Sequence, residues 1–333
     1  MTTRVLYVER KPVSSPSIER VFRQIARDLP PDEFQVSFQA MPYGNGVANL
    51  IRNLLFFRPA AADVYHVTGD VNYITLRLPR EHTVLTIHDL ILLHTRKGIR
   101  RWLIEKLYLL WPVRRARYVT AISDFTRIEI GAFAGTTAVT VIEDPLIDGF
   151  DPEPRKDFNT DTPVILHIGT APNKNLENVI HALKGLRCIL RIVGPLDAEV
   201  LEQLRSARIE YENTIGLDQD AMAEEYRHCD IVSFCSTYEG FGLPIIEAQK
   251  MEKPLITSDL EPMRSISGQG ALHVDPHDPE AIRSAIESLV RDKELRQRLV
   301  MSGRDNVVRF DPKTIANTYA DLYREVAAEA QQL

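Results

Sequence analysis

Along this chain, short apolar, β-branched runs alternate with stretches in which apolar residues recur every three or four positions. The runs of the first half lie at 4–8, 35–40, 63–67, 83–89, 118–123 and 138–144. Between the first two, Ile18, Val21, Phe22, Ile25 and Leu29 share one side of a helix expected over 17–29. Strands that alternate with helices predict parallel βαβ units and a doubly wound sheet.

The pattern then starts again. Segment 144–163 is rich in Pro, Asp and Gly and has no periodicity, as a linker would. Further runs follow at 164–170, 188–194, 209–216, 230–236, 253–259 and 271–276, and an amphipathic helix spans 312–332. The expectation is an α/β protein of two Rossmann-like domains. They cover 1–150 and 163–311, joined by a linker at 151–162, and a terminal helix over 312–333 is free to pack back on the first. Two such sheets would face a central cleft at the carboxyl ends of their strands.

Composition changes this picture little. The chain has 333 residues, 44% hydrophobic and 26% charged, enough for two ordinary cores. No run reaches the length of a membrane span, and the start reads as a strand rather than a secretory signal. Cys188, Cys229 and Cys235 form no CxxC pair and are expected to be reduced core thiols in the cytoplasm. Charge is uneven: residues 1–150 hold 19 Lys and Arg against 15 Asp and Glu, whereas the remainder holds 21 against 31. That asymmetry points to two modules with different partners.

The densest chemistry lies in STYEGFGLPIIEAQ, residues 236–249. An apolar run ends at Glu239, and Gly240 and Gly242 then allow a tight turn and close backbone approach to a ligand. Pro244 suits the start of a helix. Amides around 241–245 would then point out of a helix amino end, which is an anion site suited to phosphate. Glu247, one turn further, would face the same ligand. Taken singly, either glutamate is more often a solvated loop residue or a complement to the helix dipole. It is their co-occurrence with the glycines and the proline that favours a site.

EGFGLPIIEA resembles the two-glutamate signature of retaining GT-B glycosyltransferases of family four, the glycosyl transferases group 1. ILHIGTAPNKNLENVIHAL (165–183) resembles that family's opening strand and phosphate loop, including Gly169 and Thr170, and 275–299 resembles its following helical pair. TIHDL (86–90) and AISDFTR (121–127) match first-domain segments more weakly. The resemblance implies that Glu239 contacts the transferred sugar and that Glu247 holds the ribose hydroxyls. It also implies that Gly240, Phe241, Gly242 and Leu243 present backbone amides, that Lys174 neutralises the diphosphate, and that His88 faces the sugar or acceptor. The neighbouring Asp89 is expected only to orient its turn. No DxD-type metal motif stands at the family's positions, so transfer is expected to need no metal and no cofactor, with a UDP- or GDP-linked sugar as co-substrate. The sequence departs from the family at the loop 9–20, which lacks the usual Gly-Gly pair and offers the hydroxyls of Ser14, Ser15 and Ser17 instead. It departs also at Asn173, in place of an arginine, and at Met263 and Arg264.

The implied function is a retaining hexosyltransferase that extends a glycan or lipid-linked acceptor in cell-surface polysaccharide synthesis. Two alternatives stand beside it: a nucleotide-sugar epimerase of the same fold and a non-catalytic nucleotide-sugar-binding partner. Residues 96–118 carry eight basic residues, one acidic residue, two tryptophans and two tyrosines. They read either as an ordinary helix with charged ends or as a surface for the inner face of a membrane. Nucleic acid is not an expected partner, because the overall balance is acidic and no such motif occurs.

Overall fold

The computed structural model describes residues 2–12, 17–44, 46–135, 138–153 and 157–330. Ser14 and Ser15, and Pro16 beside them, therefore lie outside the described residues. The chain divides into two compact units, one of residues 1–147 with 310–333 and one of residues 148–309.

Among the described residues, each apolar run forms one strand of one of two parallel six-stranded sheets. The first unit holds β1 (Thr3–Glu9), β2 (Phe34–Ala40), β3 (Val64–Val67), β4 (Thr83–Ile87), β5 (Tyr118–Ala121) and β6 (Thr140–Val141). The second holds β7 (Val164–Ile168), β8 (Ile189–Val193), β9 (Glu210–Thr214), β10 (Ile231–Phe234), β11 (Leu255–Ser258) and β12 (Leu272–Val274). Central strands such as β3, β4, β10 and β11 are buried along their whole length, as expected where helices cover both faces.

The helices of the first unit are α1 (Ser17–Asp28), α2 (Val47–Phe56), α3 (Ile91–Thr95), α4 (Gly98–Ile104), α5 (Trp111–Arg115) and α6 (Asp124–Ala134). Those of the second are α7 (Leu176–Leu183), α8 (Ala198–Ala207), α9 (Gln219–His228), α10 (Leu243–Lys250), α11 (Met263–Ser267), α12 (Pro279–Arg291) and α13 (Lys293–Val307). The chain then returns to the first unit as α14 (Pro312–Ala330).

Strand order explains where each unit can hold a ligand. In the first sheet the order is β2-β1-β3-β4-β5-β6, and in the second β12-β11-β10-β7-β8-β9. Each chain winds outward from its first strand and then crosses to the other side, leaving a switch point between β1 and β3 and another between β7 and β10. Open α/β sheets bind ligands beyond the carboxyl ends of the strands at such points.

A chain of buried polar groups ties α14 to the first sheet. His66 Nδ1 lies 2.7 Å from the Tyr323 hydroxyl, which donates to the Tyr7 hydroxyl at 3.0 Å. His66 Nε2 lies 2.6 Å from Thr86 Oγ1, itself 2.7 Å from Thr120 Oγ1. Burial pushes His66 down to about 3, with the nearby His88 adding to the effect, so the ring is neutral and can take part as one donor and one acceptor. Within segment 151–162, expected as a linker, Phe158 and Asn159 are held by the second unit. Phe158 packs on its core and under the Arg296 guanidinium, and the Asn159 amide donates to Asp230 Oδ1 at 3.1 Å.

Candidate active site

The site of the second unit grows from two adjacent strands. β7 and β10 pair in parallel, Ile231 opposite Ile165, so their carboxyl ends deliver Gly169–Thr170 and 235–242 side by side. Gly169 sits at φ 91°, and a Cβ there would fall 2.8 Å from Lys174 Cγ. Only glycine lets the chain turn here and lets the Lys174 stem lie across it. Asn175, at φ 65°, ends the short turn that carries Lys174; its side-chain amide donates to the carbonyls of Cys235 and Pro276. Asn173, standing where an arginine was expected, is a brace between the two strand ends. Its amide donates to the Tyr238 carbonyl at 2.9 Å, and its carbonyl accepts from the Thr237 N–H at 2.8 Å.

These braces bring Lys174 and Glu239 together. Lys174 Nζ donates to Glu239 Oε1 at 2.7 Å and lies 5.1 Å from the centre of the Phe234 ring. Both side chains are mostly but not wholly buried, at 24% and 12% exposure. Thr170 is committed elsewhere, its hydroxyl donating to the Pro195 carbonyl at 2.7 Å.

Gly240, Phe241 and Gly242 are buried and lead into α10 at Leu243. Gly242 is the helix cap, at φ 109°, with no side-chain cap bond. Pro244 has no N–H, and that of Ile245 turns back to the Gly242 carbonyl at 2.9 Å. Pro244 and Ile245 thus drop out of the expected 241–245 set of amide donors. Glu247 stands one turn along, where its Oε2 accepts from the Tyr226 hydroxyl at 2.6 Å.

Sequence reasoning missed Tyr226, Asn175 and Phe234. Asn175 alone left a signal, since asparagine next to a helix start is a common left-handed residue. Tyr226 and Glu247 are 21 positions apart, so nothing local links them.

His88 belongs to the first unit. It follows β4 and is buried, with Nε2 2.8 Å from the Thr68 carbonyl and its ring edge-on to Phe22. Asp89 Oδ1 accepts from the Ile91 N–H at 2.9 Å and so shapes the turn into α3. Of the departures from the family pattern, Arg264 is held by Asp259 at 2.6 Å. The basic stretch 96–118 forms α4, a π-helical stretch Glu105–Leu110 and α5, rather than one straight helix. Trp102 and Trp111 are exposed on it. Among the described residues no helix is long and apolar enough to cross a membrane, and no three His, Cys, Asp or Glu gather as a metal cluster. The three cysteines are free and buried, and burial pushes the Cys188 thiol up to about 11.

Residues 151–306 match the glycosyl transferases group 1 family. A phosphatidyl-myo-inositol mannosyltransferase of Mycobacterium leprae is 30% identical over 173 residues, 49% of this chain and 46% of that protein. An O-antigen chain mannosyltransferase B of Escherichia coli is 27% identical over 290 residues, 78% of this chain and 74% of that protein. This chain thus spans about half of the first relative and three quarters of the second. The crystal structure of Anabaena Alr3699/HepE in complex with UDP and glucose superposes with a TM-score of 0.78 at 16% identity. It covers 97% of this chain and all of that one. Residues 151–306 therefore carry a glycosyl transferases group 1 domain, within a chain that has the α/β fold of the GT-B glycosyltransferases.

Proposed function

We propose that this protein is a retaining, metal-independent hexosyltransferase that moves a sugar from a nucleotide-diphosphate donor to a glycan or lipid-linked acceptor. The observation that carries the reading is the Lys174–Glu239 pair set beside the amino end of α10, with Glu247 one turn along it. A diphosphate, bringing more charge and further acceptors, competes for the Lys174 ammonium and frees Glu239 to accept sugar hydroxyls. Glu247 is left to clasp the ribose. In this reaction the bond from the anomeric carbon to the phosphate oxygen breaks as the acceptor oxygen attacks from the same face. The acceptor's proton passes to the departing phosphate. Lys174 and the amides ahead of Pro244 stabilise the charge that develops there, as a metal ion does in other transferases. His88, buried and fixed by the Thr68 carbonyl, is assigned to the sugar or acceptor.

The relatives that are mannosyltransferases and the neighbour that holds UDP and glucose favour a hexose on a UDP or GDP carrier. Incubation of the protein with UDP- and GDP-hexoses, with and without a polyprenyl-diphosphate oligosaccharide, tests the reading. Transfer with retained anomeric configuration, undiminished in excess chelator, is expected. Interconversion of donor sugars without acceptor would instead make it an epimerase.

We also assign the first unit a peripheral membrane contact. Ile99 and Trp102 on α4 and Trp111 on α5 are exposed among Lys97, Arg100, Arg101 and Arg114. Val47, Ile51, Leu55 and Phe56 are exposed along α2, where spacing places them on one side. Apolar side chains ringed by arginines suit an anionic lipid surface, at the cytoplasmic face where nucleotide sugars are supplied. Co-sedimentation with vesicles containing phosphatidylglycerol, but not with neutral ones, is the expected result.

A further inference from the structure

We propose that Tyr226 is a positioning residue for the nucleotide, its hydroxyl fixing the Glu247 carboxylate in the orientation that receives the ribose. This inference rests on the reading of Glu247 given above and extends it to a residue on a different helix. Tyr226 lies in the last turn of α9 and is fully buried, with its ring edge-on to Phe150 at 5.6 Å. Its hydroxyl donates to Glu247 Oε2 at 2.6 Å, a short bond of the charge-assisted kind.

Two physical features follow from that contact. The phenol is a donor at every working pH, because burial first and the Glu247 charge second push its ionisation well above the ordinary range. The carboxylate also loses rotational freedom, since one oxygen is anchored to a ring that is itself locked in the core. A carboxylate that clasps two neighbouring hydroxyls must hold a fixed plane, and a flexible glutamate would give up part of that gain to entropy. The Tyr226 hydroxyl also stands 3.5 Å from the Pro244 carbonyl, the weaker contact. It ties the same phenol to the first turn of α10, so one side chain registers both the helix end and its glutamate.

The test uses Tyr226→Phe, which keeps the ring and removes the hydroxyl, together with Glu247→Gln and the double variant. Dissociation constants are measured by calorimetry for UDP, GDP and ADP, and for the 2′,3′-dideoxy form of whichever binds. Tyr226→Phe is expected to weaken the ribonucleotide about tenfold and to leave the dideoxy nucleotide within about twofold of wild type. The double variant is expected to bind no more weakly than Glu247→Gln alone. Equal weakening of both nucleotides, or additive losses in the double variant, would mean that the hydroxyl merely supports the fold and would overturn the proposal. So would wild-type affinity in Tyr226→Phe, with the assignment of Glu247 left standing. If the wild-type protein bound none of the three nucleotides, the functional reading would fall and this inference with it.

Discussion

The two units treat their polar side chains in opposite ways. Beneath the first sheet, Tyr7, Tyr323, His66, Thr86 and Thr120 form, in that order, a sealed chain of neutral groups, each hydrogen-bonded to the next. At the end of the second sheet the groups are charged and only partly buried, as in the Lys174–Glu239 pair. A sealed neutral network holds a helix in place and has no reason to open. A charged pair that keeps an edge to solvent can instead trade one partner for a ligand of higher charge. The contrast separates framework from site without reference to any relative.

The sharpest way to break this comparison is to remove one charged partner. Glu239→Ala is expected to lower the transfer rate about 100-fold or more while the nucleotide still binds. Steady-state kinetics against calorimetric affinity would show the split. Glu247→Ala should do the reverse, weakening the nucleotide roughly tenfold to 100-fold with a smaller effect on turnover. Gly169→Ala comes next. Its methyl would meet Lys174 Cγ at 2.8 Å from a backbone at φ 91°, so the ammonium must move. Diphosphate affinity should fall about tenfold, whereas affinity for the nucleoside alone should not change.

In the first unit, Tyr323→Phe cuts the buried chain between His66 and Tyr7. It should cost about 1–2 kcal/mol and lower Tm by several degrees without altering nucleotide affinity. A loss of nucleotide binding there would erase the distinction drawn above.

Acid sharpens the comparison with the smallest effect. Burial holds His66 near 3 and His167 near 4, both from an ordinary 6.5. Each gives stability that is present above pH 6.5 and is lost as pH falls toward the folded value. Asp144, raised by burial to about 6 from 3.8, works the other way, its contribution being lost as pH rises through 6. In the first unit His66 and Asp144 nearly offset between pH 4 and 6. In the second, no raised carboxyl among the described residues offsets His167, and His273, also lowered by burial, adds to its loss on acidification. Hydrogen exchange resolved by unit should show the second loosening first on acidification; equal loosening would count against these assignments.

Much of the fold was legible because burial on both faces writes strands as continuous apolar runs. Each of the twelve expected runs overlaps one strand, with ends displaced by no more than three residues. The displacement is greatest at β6, expected over 138–144 and paired only at Thr140 and Val141. Pro145 follows closely there and cannot donate to a ladder. The basic stretch was less legible, because Pro112 and the π-helical turn break what periodicity reads as one helix. At the site, Glu239, Gly242 and Glu247 were readable since they lie within nine consecutive residues. Tyr226 was not, nor was the chain from Tyr7 to Tyr323, whose ends are 316 positions apart. Pairings of that kind are made by the tertiary fold and leave no local trace.

The account turns on one claim, that a nucleoside diphosphate binds where Lys174, the α10 amino end and Glu247 converge. Calorimetric titration of UDP, GDP and ADP into wild type, Lys174→Ala and Glu247→Ala measures it directly. One nucleotide should bind the wild-type protein and lose about tenfold or more in each variant. Binding equal in all three proteins, or none to the wild type, would contradict it.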